Sequence, residues 1–243
     1  MKHLVAVAAA LTLTACGGSD KTGNITAPAN SVASVTAPTG EDWTQVVSKT
    51  PENGYVMGNP DAKLKLVEYG SRTCPTCGAF GQTGMQPLEN TYVKSGKVSY
   101  EFRDFMVHAP DLGVATLGHC AGAAPFFPIL EQMYLEQPGF LDKLENATPF
   151  QQSIQSKTPQ QQAVAWVEHL GYIDFLKQRG VSEQQARACL ADPKLIKEIT
   201  DLSQTAMDGQ GVTGTPTFFL NGQRLDGAVS WPQIEQALKA AGA

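Results

Sequence analysis

The stretch Lys63-Leu64-Lys65-Leu66-Val67-Glu68-Tyr69-Gly70-Ser71-Arg72-Thr73-Cys74-Pro75-Thr76-Cys77 decides the fold. Lys63 to Tyr69 reads as a β-strand, Gly70 to Thr73 as a short connection, and Cys74 as the start of a helix running toward Lys94. Gly84 and Pro87 weaken the middle of that helix. Pro75 suits its first turn, which needs no N–H from that position. Two cysteines three apart can close a small, strained ring and exchange with other thiols. At a helix start the first sulfur faces unpaired backbone N–H groups and the positive end of the dipole. Both favour the thiolate, the nucleophile of disulfide exchange. A zinc knuckle and an inert loop are the competing readings. Zinc would want a second close pair, whereas Cys120 and Cys189 lie far apart in the chain.

Downstream, Lys97 to Phe102 alternates as a second strand. From about Asp111 to Asp208 the pattern is helical and rich in glutamine. Thr158-Pro159-Gln160-Gln161 is a capping box with proline at the first helical position, Ser182 with Gln185 repeats it, and Asp192-Pro193 caps the next helix. Strands return at Thr217 to Leu220 and Gln223 to Leu225, joined by a turn at Asn221-Gly222. Ser230-Trp231-Pro232-Gln233 starts a last helix. Strand, helix, strand, helical block, hairpin and helix is an α/β order, expected as one domain over 51–243 with a helical insertion at about 106–208.

Upstream, one positive residue and a short apolar run from Leu4 to Ala15 read as a secretory signal peptide over 1–15. Leu13-Thr14-Ala15-Cys16 resembles a bacterial lipobox, in which the cysteine takes the lipid; an ordinary signal with an incidental cysteine is the alternative. No stretch reaches the roughly 18 apolar residues of a spanning helix, so the expected membrane attachment is the lipid alone. Residues 16–50, rich in Gly, Ser, Thr, Asn, Ala and Pro, read as a flexible tether too poor in large apolar groups to offset its ordering entropy. Export places the remaining cysteines where disulfides persist and predicts a periplasmic, envelope-anchored protein. The 243 residues carry a net charge of −5 and no basic run, which argues against a nucleic-acid partner and an electrostatic membrane patch. The five cysteines are an odd number, so one must have a fate outside a disulfide.

Cys74-Pro75-Thr76-Cys77 after a strand, a helical insertion, and Gly214-Thr215-Pro216-Thr217 before the hairpin together resemble the DsbA branch of the thioredoxin superfamily, over roughly residues 55–243. The resemblance implies a thioredoxin-like fold and periplasmic thiol–disulfide exchange. It implies that Pro216 is cis and sits opposite the sulfurs, leaving the backbone of Thr215 free to pair with an extended substrate; an ordinary turn proline is the competing reading. Cys74 would then exchange with the substrate and Cys77 would resolve the mixed disulfide. Glu68 matches the family's acidic residue beneath the disulfide, where burial would raise its pKa and let it relay the Cys77 proton; the alternative is a carboxylate facing solvent from a strand end. Pro75 and Thr76 tune the thiolate. Strongly oxidising members carry histidine where this chain has Thr76, which leaves oxidase, isomerase and reductase directions open.

Some members of that branch have a second, non-catalytic disulfide in the helical lobe, which implies a bridge between Cys120 and Cys189. Closing so long a loop is worth about 4 kcal/mol in the chain-entropy model. Two buried reduced thiols are the alternative. His108, His119 and His169 are isolated and read as surface or satisfied core residues, and Trp43, Trp166 and Trp231 as packing. The functional expectation is an oxidoreductase that needs no cofactor or metal and acts as a monomer on reduced or misfolded exported proteins. A membrane redox partner would recycle its cysteines. A disulfide isomerase or reductase with the same site, and a non-enzymatic metal-handling or scaffold lipoprotein, are the competing readings.

Overall fold

The computed structural model describes residues 31–243. The signal peptide expected at 1–15, the lipidation candidate Cys16 and the first part of the tether lie outside the described residues. The strands are β1 (Val47–Lys49), β2 (Tyr55–Met57), β3 (Leu64–Gly70), β4 (Val98–Asp104), β5 (Thr217–Leu220) and β6 (Gln223–Arg224). They form one sheet in the order β1-β2-β4-β3-β5-β6. β3 and β4 run parallel, from Leu64 opposite Val98 to Gly70 opposite Asp104, and β5 pairs antiparallel on the other side of β3. The hairpin turns at Asn221 and Gly222, both at positive φ (51° and 78°), as the two-residue turn matching strand twist requires.

The helices are α1 (Pro75–Pro87), α2 (Asp111–His119), α3 (Phe126–Leu135), α4 (Gln137–Glu145), α5 (Thr148–Ile154), α6 (Pro159–Leu170), α7 (Tyr172–Lys177), α8 (Glu183–Ala191), α9 (Pro193–Gln210) and α10 (Trp231–Ala240). Side chains alternate across a strand, so Leu64, Leu66 and Glu68 share one face of β3. Leu64 and Leu66 join Phe80, Met85, Ile234 and Leu238 in a core under α1 and α10. The opposite face, with Tyr69 and Phe219, is covered by Leu202 and Ala206 of α9. α2 to α9 separate β4 from β5, and most of this lobe packs around a core of its own that includes Val114, Leu117, Trp166, Tyr172 and Leu176.

Three expectations change in detail. The helix expected to reach Lys94 keeps its path, but Pro87 has no N–H, and Leu88–Val93 continues as a π-type turn in which the Lys94 N–H donates to Glu89 O five residues back. The Ser182 box is half formed: Ser182 Oγ accepts from the Gln185 N–H at 3.2 Å, while the Gln185 side chain donates instead to Cys120 O at 3.3 Å. The tether expected over 16–50 is packed structure in its later part. Trp43 is buried in the main core, its indole N–H donates to Val35 O at 2.7 Å, and Val47–Lys49 extends the sheet as β1. A few apolar groups, Val32, Trp43, Val46 and Val47, suffice because the sheet offers them a ready surface. The chain from residue 32 also hydrogen-bonds at the base of the sheet, Val32 N–H to Gly242 O and Val35 N–H to Ser95 O.

Candidate active site

Cys74 caps the N-terminus of α1 where β3 ends, with Pro75 and Thr76 exposed beside it. Its sulfur lies 3.3 Å from the carbonyl oxygen of Thr215, and the Thr215–Pro216 peptide bond is cis. Cys74 and Cys77 are not bridged to one another. A hydrogen bond from the Cys77 thiol, the neighbouring Thr215, and the N–H groups of Cys77 and Thr76 pull the Cys74 pKa from 9.0 down to about 5, against the opposing effect of burial. Cys77, one turn inside and with no exposed surface, moves the other way: burial, the hydrogen bond it gives to Cys74 and the charge of Glu68 push its thiol well above 9.0. One sulfur is a thiolate at neutral pH and its neighbour keeps its proton.

Glu68 is fully buried on the sheet face that α1 covers. Desolvation, reinforced by the charge of Cys74, raises its pKa from 4.5 to about 8, although the Tyr100 hydroxyl donates to Oε2 at 2.6 Å. Its other oxygen, Oε1, has no hydrogen-bond partner among the described residues. Tyr100 comes from β4 and stands opposite Leu66, two positions before Glu68 in the parallel register. A carboxyl that is mostly protonated at neutral pH, coupled electrostatically to Cys77, can hold and return a proton as the inner sulfur changes state.

The loop before Cys74 is wired to the helical lobe. Buried Asp111, at the start of α2, accepts from Ser71 Oγ (3.1 Å), Thr73 Oγ1 and the N–H groups of Val107 (2.7 Å) and His108 (2.9 Å). Buried Gln137, at the start of α4, donates from Nε2 to both Arg72 O and Cys74 O at 2.9 Å. The Arg72 side chain turns inward between the rings of Phe102 (5.2 Å) and Phe126 (5.3 Å) and pairs with Asp104, whose second oxygen accepts from His119 Nε2 at 2.7 Å. Burial lowers Arg72 to about 10, still charged at neutral pH, and drives His119 well below 6.5, so the imidazole is neutral. Gly81 lets α1 approach α3: a Cβ there would sit 2.3 Å from the Tyr134 ring. None of Tyr100, Asp111, Gln137 and the Arg72–Asp104–His119 set is signalled by sequence spacing.

Of the other residues singled out, Cys120 and Cys189 are bridged with Cα atoms 5.8 Å apart, in the lobe and away from the thiol pair. His108 is exposed, with Nδ1 2.9 Å from Thr73 Oγ1. His169 stacks on Phe150 with ring centroids 3.9 Å apart. Trp166 fills the lobe core, and Trp231 meets Tyr92 edge-on. Among the described residues no group of three or more His, Cys, Asp or Glu could hold a metal ion.

A parallel β3–β4 core, a cysteine pair at the start of α1 and a cis proline facing it define a thioredoxin-fold protein with a redox-type dithiol. The chain belongs to the thioredoxin family, whose pattern it matches over residues 50–240. It is similar to a solved protein-disulfide isomerase from Novosphingobium aromaticivorans: 30% identity, a TM-score of 0.70, and coverage of 75% of this chain and 96% of that one. Wolbachia pipientis α-DsbA1 shares the fold at 19% identity and a TM-score of 0.60, over 79% of this chain and 92% of that one. A curated relative named as a protein-disulfide oxidoreductase of Rickettsia bellii is 27% identical over 182 residues, 75% of this chain and 62% of its own length. The chain thus spans about three fifths of the length of the Rickettsia relatives it matches.

Proposed function

We propose that this chain is a thiol–disulfide oxidoreductase of the bacterial cell envelope that oxidises cysteines of exported proteins. The observation that carries the reading is the split between the two sulfurs: Cys74 held near 5 at a helix N-terminus and against Thr215, Cys77 buried and protonated. In the oxidised pair a substrate thiolate attacks the Cys74 sulfur and Cys77 leaves. A second substrate thiol then attacks the mixed disulfide and expels Cys74 as a stable thiolate. Stabilising that thiolate stabilises the reduced enzyme, which makes the disulfide oxidising. The half-buried Thr215 backbone beside Cys74 supports strand-like pairing with an extended substrate. The lipobox-like Leu13-Thr14-Ala15-Cys16 supports lipid anchoring at Cys16 and work at the periplasmic membrane surface, as a monomer recycled by a membrane redox partner.

The test is to mix the oxidised full-length chain with a reduced, unfolded protein and follow the loss of substrate thiols. Cys74→Ser should abolish that loss; turnover equal to wild type would overturn the proposal. Isomerase action is the second reading, favoured by the description of the Novosphingobium protein as an isomerase. Equilibration with glutathione separates the two directions, since about 30 mV corresponds to 1.4 kcal/mol for this two-electron couple.

A further inference from the structure

Residues 71–73 sit between the end of β3 at Gly70 and the Cys74 cap of α1, in no strand or helix, yet all three are buried. Ser71 is the centre of this turn. Its carbonyl accepts from the Cys74 N–H at 3.2 Å, and its Oγ accepts from the Thr73 N–H at 3.1 Å. The same Oγ donates to the Asp111 carboxyl group, 3.1 Å from either oxygen, and Thr73 Oγ1 donates to Asp111 Oδ1. With its proton given to Asp111, the Thr73 hydroxyl can only accept from His108, so His108 carries a hydrogen on Nδ1. Asp111 also accepts from the N–H groups of Val107 and His108, in the loop after β4. One buried carboxyl group therefore holds both loops that follow the parallel pair β3 and β4, and the first of these loops ends at Cys74.

Asp111 is itself held rigidly. It opens α2, and every residue of α2 except Leu112 is buried. At Gly113 a Cβ would sit 2.5 Å from Ala163 O of α6, and at Gly118 a Cβ would sit 2.5 Å from the Arg72 guanidinium. The helix is thus wedged between α6 and the turn it holds. Its last residue, His119, bonds to Asp104, which pairs with Arg72. The three residues before Cys74 hang on the two ends of one helix: Ser71 and Thr73 on Asp111, Arg72 on His119 through Asp104.

We propose that Asp111 is a positioning residue for the cysteine pair, holding the Ser71–Thr73 turn so that Cys74 stays the N-cap of α1 with its sulfur in reach of Cys77. The proposal rests on the exchange chemistry given above, and Asp111 acts through Ser71 and Thr73 without touching a sulfur. Placement matters to that chemistry twice. An N-cap side chain meets the N–H groups of the second and third helical residues, here Thr76 and Cys77, and these favour the thiolate. Ring closure depends on it as well. In a mixed disulfide of Cys74 with glutathione, the Cys77 sulfur attacks the Cys74 sulfur, the Cys74–Cys77 bond forms and the bond to glutathione breaks. Glutathione leaves as the thiol, with the proton that Cys77 gives up. A misplacement of about 1 Å can slow such an intramolecular step on the order of 100-fold.

The test compares the full-length wild type with Asp111→Asn, Thr73→Val and Thr73→Ser. Asparagine keeps the size of Asp111 but turns an NH2 group toward donors that need an acceptor, valine removes only the Thr73 hydroxyl, and serine keeps it. Two quantities are read: the pH midpoint of Cys74 alkylation, and the fraction of protein held as the glutathione mixed disulfide in a glutathione buffer, by mass spectrometry after acid quenching. In Asp111→Asn the midpoint should rise by about one pH unit, a tenfold loss of thiolate on the acid side, and the mixed-disulfide fraction should grow about fivefold or more. Thr73→Val should move both the same way by a smaller factor, and Thr73→Ser should restore both. Asp111→Asn and Thr73→Val proteins that lose stability yet keep the wild-type midpoint and mixed-disulfide fraction would reduce Asp111 to packing and overturn the proposal. If Asp111→Asn does not fold, the Thr73 variants decide alone. Alkylation needs no exchange partner, so a wild-type chain that exchanges with no thiol would overturn the oxidoreductase reading and leave the positioning of Cys74 separately measured.

Discussion

The molecule holds two cysteine pairs at opposite electrical ends of helices. Cys74 caps the N-terminus of α1, where free N–H groups and the positive dipole end meet the sulfur. Cys120 caps the C-terminus of α2, and Cys189 lies in the last turn of α8, where carbonyl groups and the negative end disfavour a thiolate. The first pair is three residues apart on one helix; the second joins helices across a sequence separation of 69. Position on a helix, more than the cysteine itself, separates the reactive pair from the pair that staples a lobe.

The widest contrast should appear on alkylating the reduced, folded protein at pH 6. Cys74, with a pKa of about 5, is then mostly thiolate, whereas the lobe thiols, at helix C-terminal ends that disfavour a thiolate, should react roughly 100-fold more slowly. Peptide mapping after a timed iodoacetamide pulse checks this, and equal labelling of both pairs would break the comparison. Next in size, replacing Cys120 and Cys189 together by serine should cost about 4 kcal/mol in denaturant unfolding under oxidising conditions, with thiol exchange at Cys74 retained. Stability unchanged within error would remove the stapling role.

Glu68→Gln gives a pH-dependent effect. A carboxyl whose folded pKa is raised from 4.5 to about 8 supports stability fully below the unfolded value and loses it as pH climbs through 8. The reduced Gln variant should therefore match wild type near pH 4 and exceed it at pH 8, by on the order of 4 kcal/mol at about 1.4 kcal/mol per pH unit. Parallel stability curves for the two proteins would show that Glu68 does not titrate in this way. The smallest change expected is from Gln137→Ala, about 2 kcal/mol of unfolding free energy, because two carbonyls of the active-site loop lose their donor. A faster alkylation of Cys74 should accompany it if that loop loosens.

Local chemistry was readable from the sequence, and long-range pairing was not. Strand, cysteine pair, helix and hairpin follow from alternation, a proline at the first helical turn and an Asn-Gly turn, all within a few residues of one another. Thr158 and Asp192 cap the helices they precede. By contrast, Glu68 and Tyr100 are 32 residues apart, Gln137 and Cys74 63, and nothing local says that either pair meets. Arg72, Asp104 and Asp111 look like solvated charges in a sequence and are buried, because each finds its counter-group on a different element. Ser182 shows the reverse failure: a valid local box loses its second half when Cys120 O offers Gln185 a tertiary acceptor. The segment Val32–Lys49 packs for the same reason, since its few apolar residues are too sparse for a core alone and sufficient against a sheet already made.

The hydrogen bonds of Val32 and Val35 also give the domain a mechanical polarity. They fasten the incoming chain beside Gly242 and Ser95, at the end of the sheet where β4 begins. Cys74 follows the other end of β3, a seven-residue strand away, or about 23 Å at the usual rise. A pull on the chain upstream of residue 31 is therefore taken up at the base of the sheet. The loops that hold the sulfur lie at the far pole, off the line of load, so tension on one end need not disturb chemistry at the other.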